Sequence, residues 1–258
     1  MIAASSEEQL GDVRLSILTS PLAGAARGAT VLVPTGSVEQ HGPHLPVGTD
    51  TLIASAIARE VASNLDGVLL AEPVAYGCSW HHMGLAGTLT LRVTTFIAVV
   101  VDVCRSLCDQ GFTPILLNGH GGNRAALDVA LEELARLGCR CAAFTYFDLL
   151  EEDARRLIPD IDSAAGHACA LETSLSLHLW PEAVDSNVIP EGGTPSSWPD
   201  PHMFAKKQAS VIRRFDEINP TGVIGRPDLA SAAVGQQLFD VAVRRCSEVV
   251  DRARAELR

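Results

Sequence analysis

The chain has 258 residues, 47% of them apolar and 20% charged, with a net charge of −11. That length and balance suit one soluble domain, expected over residues 1–258, with enough chain to bury a sizeable core. The acidic excess argues against nucleic acid or an anionic membrane as partner, because both demand basic surface, and no apolar run reaches the roughly 18 residues of a membrane span. The opening Met1-Ile-Ala-Ala-Ser-Ser-Glu-Glu has neither the basic nor the apolar region of a secretory signal, so a cytoplasmic location is expected.

Short apolar runs alternate with helical patterns, the signature of βαβ units. Thr30 to Pro34 reads as a buried strand, followed by a Gly/Pro/His loop and a helix from about Thr51 to Asn64. Leu69 to Val74 is a second strand. A helix from about Thr94 to Asp109 leads through Gly111 into a strand from Pro114 to Asn118. A Gly-rich turn then opens a helix from Arg124 to Leu137, stopped at Gly138. Arg140 to Phe147 is a further strand and Leu171 to Leu179 a helix halted by Pro181. The last helix runs from about Ala230 to the C-terminus. The expected fold is therefore α/β, with a mainly parallel sheet flanked by helices. Residues 187–226 are irregular and rich in Pro, Gly, Ser and Trp, and a stretch of that length serves a function or contacts another subunit. It carries Lys206, Lys207, Arg213 and Arg214, which either meet an anionic substrate or form a solvated face.

Seven cysteines, at 78, 104, 108, 139, 141, 169 and 246, form no C-x-x-C pair. Their odd number and scatter fit reduced, mostly buried thiols better than a disulfide framework or a zinc ribbon.

Four segments concentrate chemistry. The densest is Gly36-Ser-Val-Glu-Gln-His-Gly-Pro-His-Leu-Pro-Val-Gly-Thr-Asp50, which brings Glu39, His41, His44 and Asp50 into one loop after a strand. Sites in open α/β sheets gather beyond the carboxyl ends of the strands, and Glu39 and His41, two apart, face the same side of an extended chain. Carboxylates and imidazoles without thiolate suit Zn²⁺, Mn²⁺ or Fe²⁺ in a catalytic site. Asn118-Gly-His-Gly-Gly-Asn123 places His120 at the end of a second strand, while Gly121 and Gly122 let backbone approach an ion or substrate. His167 and Glu172 lie five apart across a helix start. In the loop Tyr76 to Thr88, Ser79, Trp80 and His81 are candidates for substrate contact. His81 and His82 are adjacent, so at most one of the pair is expected to point into a site.

At these segments the chain resembles the creatininase family. The matching pieces also include Gly87-Thr-Leu89 and Asn219-Pro-Thr-Gly-Val-Ile-Gly225, and they follow family order over roughly residues 30–225, most of the chain. The resemblance implies a βαβ sandwich, a two-metal centre (zinc first, manganese or iron as alternatives), hydrolysis of amide-type C–N bonds in a small substrate, and a homo-oligomer, often a hexamer. Carried over residue by residue, Glu39 and His120 would hold one ion, His41 the other, and Asp50 both. His167 matches the family's proton-transfer histidine. Creatinine-cleaving members have His-Tyr-Glu-Asn where this chain has His120-Gly-Gly-Asn123, and that glutamate is a ligand. Gly122 cannot replace it, which leaves Glu172 to complete the second sphere and weakens creatinine as substrate. The His-Gly-Gly-Asn form is similar to the formamide- and peptide-cleaving branches of the family.

Two divalent ions would exceed the charge of Glu39, Asp50 and Glu172 by one, a cationic centre suited to activating water and polarising a carbonyl. His167 would then protonate the leaving nitrogen. A serine hydrolase is the rival enzyme, but neither Ser37 nor Ser79 sits in a Gly-x-Ser-x-Gly elbow. A silent metal-binding relative is the rival outside catalysis.

Overall fold

The computed structural model describes residues 13–192, 203–204, 209 and 211–257. Its centre is a four-stranded sheet of β1 (Thr30–Thr35), β2 (Val68–Leu70), β3 (Thr113–Asn118) and β4 (Ala142–Thr145), in the order β2-β1-β3-β4. Every pairing is parallel, with Leu32 beside Leu70 on one side and beside Ile115 on the other.

Parallel strands need crossovers, and the helices supply them. Helix α1 (Thr49–Asn64) links β1 to β2, α2 (Val93–Asp109) links β2 to β3, and α3 (Arg124–Arg136) links β3 to β4. The alternation of side chains along each strand sorts the core into two layers. Leu32, Ile115 and Leu117 pack with Ile53, Ile57 and Val61 of α1, one i,i+4 row of that helix. Val31, Val33 and Leu116 face the other way, onto Phe96, Val100 and Cys104 of α2 and Ala126, Ala130 and Leu134 of α3. The first layer is closed by α5 (Ala170–Leu179) and α6 (Ala232–Leu257), whose Leu238, Ala242, Cys246 and Val250 repeat every four residues. Helix α4 (Glu151–Leu157) lies between β4 and α5 in the chain and joins the same layer through Ala154.

This order fixes where a site can form. The chain leaves β1 toward β2 and later returns on the far side of β1 to make β3, so the loops after β1 and β3 diverge and open a crevice at their carboxyl ends.

The structure changes three expectations. β2 ends at Leu70 rather than Val74, because Pro73 has no N–H to pair; Val74 returns only as an isolated bridge to Thr35. β4 ends at Thr145, and Tyr146–Leu150 turns into a 3-10 helix that buries Tyr146, Phe147 and Leu150. The cysteines are not all thiols: Cys108 and Cys139 form a disulfide, because the end of α2 and the turn after α3 bring their Cα atoms within 5.7 Å, while Cys78, Cys104, Cys141, Cys169 and Cys246 are free. Among the described residues, no helix is long and apolar enough to cross a membrane. Lys206 and Lys207 lie outside the described residues, and Arg214 is paired with Asp216 and Glu217.

Candidate active site

The crevice is filled by buried polar side chains. Glu39 and His41 come from the loop after β1, Asp50 from the first turn of α1, His120 from the end of β3, and Glu172 from the first turn of α5. Both helix starts point a positive dipole end at a carboxylate. Two asparagines of the β3 turn tie the loops together. Asn118 accepts from Thr35 Oγ1 at 3.1 Å and from the His120 N–H at 3.2 Å, and donates to the His120 carbonyl at 2.7 Å. Asn123 accepts the Cys78 N–H at 2.9 Å and donates to the Gly36 carbonyl at 3.0 Å.

The donors form two groups with one shared member. In the first, His120 Nδ1 lies 3.2 Å from Glu39 Oε2 and 2.9 Å from Asp50 Oδ2. In the second, His41 Nε2 lies 3.3 Å from Asp50 Oδ1 and 3.8 Å from Glu172 Oε1. The two Asp50 oxygens thus face opposite groups. Glu39/Asp50/His120 and His41/Asp50/Glu172 each bring three ligand atoms within 4.8 Å of one another, as does Glu39/His41/His167. Backbone carbonyls orient both imidazoles: Glu39 accepts from His41 Nδ1 at 3.2 Å and Cys78 from His120 Nε2 at 3.2 Å, leaving the opposite ring nitrogens facing the donors.

The charges show what the cluster lacks. Burial would raise the Glu39 pKa, but His120 and then His82 outweigh it and hold the carboxyl well below the usual range. Burial likewise opposes the ionised form of Asp50, and His41 and His120 overcome it. Glu172 is lowered against burial mainly by the His41 imidazole, 3.8 Å away. The imidazoles answer in kind. Burial disfavours their charge, yet Asp50 raises His41 well above its ordinary value, and Glu39 and Asp50 lift His120 to about 10. Protons on two histidines therefore stand where three carboxylates call for positive charge. Glu39 Oε2, His41 Nε2 and Asp50 Oδ2 are also buried without a well-formed hydrogen bond, although ionic partners lie 2.9–3.3 Å away. Carboxylate and imidazole donors with unspent lone pairs fit divalent cations.

His167 lies beside both groups. Its Nε2 is 2.7 Å from the Gln40 carbonyl and its Nδ1 is 3.7 Å from Glu39 Oε1. Burial, and then the charge on His41, lower its pKa. Its strand-like position is set by paired hydrogen bonds with Ile224 at 2.8 and 2.9 Å, which brings the Asn219–Gly225 segment to the site.

The substrate-contact candidates divide by depth. Trp80 is 59% exposed and stands at the rim. Gly121 is open above its Cα, whereas a Cβ on Gly122 would lie 2.4 Å from both the Cys78 carbonyl and His120 Nε2, so a side chain there would have to displace one or both. Ser79 departs from the expected substrate contact: it is fully buried and its hydroxyl bonds Ser37 and, at 3.2 Å, His120 Nε2. His81 stacks on His120 with centroids 5.7 Å apart. His82 is the deeper of the pair, 3.2 Å from Glu39 Oε1. The Trp80–His82 stretch is a 3-10 turn, so neighbours there do not alternate as in a strand, and both rings approach the site. His44, another possible ligand by sequence, bonds Thr173 through Nε2 at 2.9 Å and burial lowers its pKa to about 4. Gln40 and Phe215 were not singled out by sequence, and of the His81/His82 pair His81 was preferred. Phe215 covers the rings of His82 and His167 at centroid distances of 4.3 and 5.2 Å.

Comparison with known proteins agrees with this geometry. The family model for creatininase (creatinine amidohydrolase) matches residues 17–250. The mycofactocin precursor peptide peptidase of Mycolicibacterium smegmatis is 34% identical over 227 residues, covering 86% of this chain and 84% of the relative. The creatinine amidohydrolase of Pseudomonas putida is 26% identical over 243 residues, covering 88% and 90%. A crystal structure of creatininase superimposes with a TM-score of 0.80 at 26% identity, covering 93% of this chain and 97% of the other. The chain belongs to the creatininase family and is an amidohydrolase of that family.

Proposed function

We propose that this protein is a binuclear metal-dependent hydrolase of an amide-type C–N bond, with Glu39, Asp50 and His120 holding one divalent ion and His41, Asp50 and Glu172 the other. The observation that carries the reading is the pair of donor groups sharing Asp50, with one carboxylate oxygen turned to each. Zinc is the first candidate and manganese the next; solved creatininase relatives are described as Zn-Zn and Mn forms. Two such ions would supply an activated water and an electrophile for the carbonyl oxygen.

The chain's own residues do the rest. Glu39, Asp50 and Glu172 hold fixed negative charge in a buried setting, with no reorganisation needed at the moment of reaction. His167 keeps its Nε2 proton on the Gln40 carbonyl, so Nδ1 is the nitrogen that takes up a proton and returns it to the leaving nitrogen. Gly121, open above, and Trp80 at the rim contact the substrate, with His81 beside them.

The absence of space at Gly122 bears on the substrate. A glutamate ligand of the creatinine-cleaving kind cannot stand there, and the segment matches the formamide- and peptide-cleaving pattern. A precursor-peptide peptidase is therefore the second reading, favoured by the 34% identity to a relative of that name. The test is a hydrolysis screen of formamides, cyclic amides and short peptides, run before and after chelation. The reading expects turnover that is lost with chelator and restored by Zn²⁺ or Mn²⁺. Turnover indifferent to chelation would reject it.

A further inference from the structure

Gln40 lies between two residues assigned to the ions, and although only its backbone carbonyl enters the reading above, its side chain is bonded at both ends of the amide. It is 4% exposed. Its Oε1 accepts the Gly42 backbone N–H at 3.0 Å. A backbone N–H can only donate, so this bond settles which end of the amide is oxygen. The other end is then NH₂, a donor, and it lies 2.9 Å from His82 Nδ1 and 3.4 Å from the Gly222 carbonyl.

The consequence passes along a chain of atoms. Because the amide donates, His82 Nδ1 must accept and carries no proton. The single proton of the neutral ring is then on Nε2, and Nε2 stands 3.2 Å from Glu39 Oε1. That oxygen is thereby held, and Oε2 is the one left turned to His120 at 3.2 Å. The Gln40 backbone contributes as well: its carbonyl takes the His167 Nε2 proton at 2.7 Å, so His167 presents a bare Nδ1. The 3.0 Å approach of the amide nitrogen to the same His167 nitrogen is then a contact of two donors, and the second amide hydrogen goes to Gly222.

Gly222 makes this possible. Its φ is +73°, and a Cβ there would lie 2.3 Å from Gln40 Oε1. The Asn219–Gly225 segment, singled out in the sequence without a role, closes over the amide.

We propose that Gln40 is a positioning residue: through His82 it aims Glu39, and through its carbonyl it sets the tautomer of His167. The claim about Glu39 rests on the proposed metal reading; the tautomers do not. Outer hydrogen-bond partners of metal ligands typically contribute about 10–100-fold in metal affinity.

The experiment uses the full chain with ¹⁵N-labelled histidine. In the metal-free protein, nitrogen shifts should show His82 protonated at Nε2 and bare at Nδ1, and His167 likewise. Gln40→Glu keeps the shape and can still accept from Gly42 through one oxygen, but cannot donate, so His82 should gain a proton at Nδ1. Gln40→Met removes both bonds and should weaken Mn²⁺ binding about tenfold or more, while the His167 pattern persists because the backbone carbonyl remains. His82 protonated at Nδ1 in the unaltered protein would overturn the proposal. So would Mn²⁺ affinity unchanged in both Gln40 variants. Failure of the metal reading looks different: Glu39→Gln would then leave Mn²⁺ binding intact, whatever the tautomers show.

Discussion

The two donor groups that share Asp50 are built to different standards. Around Glu39 and His120 the outer support is dense: His82 holds one Glu39 oxygen, the Cys78 carbonyl and Ser79 hydroxyl hold His120 Nε2, and Asn118 fixes the His120 backbone. Around His41 and Glu172 the support is thinner. His41 leans on the Glu39 carbonyl at 3.2 Å, Glu172 spends Oε2 on the Cys169 N–H at 3.2 Å, and the two side chains meet at 3.8 Å. A site held rigid before the ion arrives loses less freedom on binding it. The first group is thus a preformed socket, whereas the second is completed by a residue serving also as a helix cap.

Removing the shared carboxylate has the largest expected effect. Asp50→Ala should abolish both ions and reduce turnover to background, measured by elemental analysis of the purified variant. Full metal content would show that the groups do not depend on one carboxylate. Next in size is His167→Ala, which should retain both ions while turnover falls by roughly 10²–10⁴. Loss of metal instead would make His167 a ligand, as the Glu39/His41/His167 grouping allows.

Glu172→Gln separates the halves. It keeps the cap geometry and removes the charge, so one ion should weaken by about tenfold or more while the Glu39/His120 ion stays, read by Mn²⁺ titration. Equal loss at both sites would erase the asymmetry. A smaller effect concerns Gly122, whose added Cβ would press on Cys78 and His120. Gly122→Ala should cost about 1–3 kcal/mol in denaturant unfolding.

Proton linkage gives the gentlest test. In metal-free protein the His120 pKa is raised from 6.5 to about 10, so its pairing contributes fully below the unfolded value and is lost as pH climbs toward 10. Glu39 and Asp50, depressed, contribute above their ordinary range and lose that contribution on acidification. The metal-free melting temperature should therefore fall on both flanks, and bound Zn²⁺ should flatten the alkaline one by replacing the His120 proton.

How much of this was legible beforehand depended on whether the signal was local. The β1 and β3 strands and the helices α1, α2 and α3 followed from apolar runs and i,i+4 rows, each confined to one segment. So did Glu39, His41, Asp50 and His120, because their loops follow strands. Glu172 entered through the missing glutamate at 122, and it does lie beside His41. The depth of His82 and the part played by Gln40 were hidden. His82 reaches Glu39 only because the Trp80–His82 stretch is a 3-10 turn, and an alternation argument misplaces it. Gln40 looked like a spacer between two candidate ligands, and two of its partners, His82 and Gly222, are far from it in the chain. The Cys108–Cys139 bond was likewise invisible, since two helix ends must first be brought together.

The number of bound ions tests the shared-Asp50 centre most directly. Protein purified without chelator, and quantified by elemental analysis against protein concentration, should hold close to two divalent ions per chain. Titration of the metal-free form should then resolve a tight site and a weaker one. A single ion per chain, bound with one affinity and unaffected by Glu172→Gln, would contradict the shared-Asp50 centre and reduce the second donor group to a structural hydrogen-bond cluster.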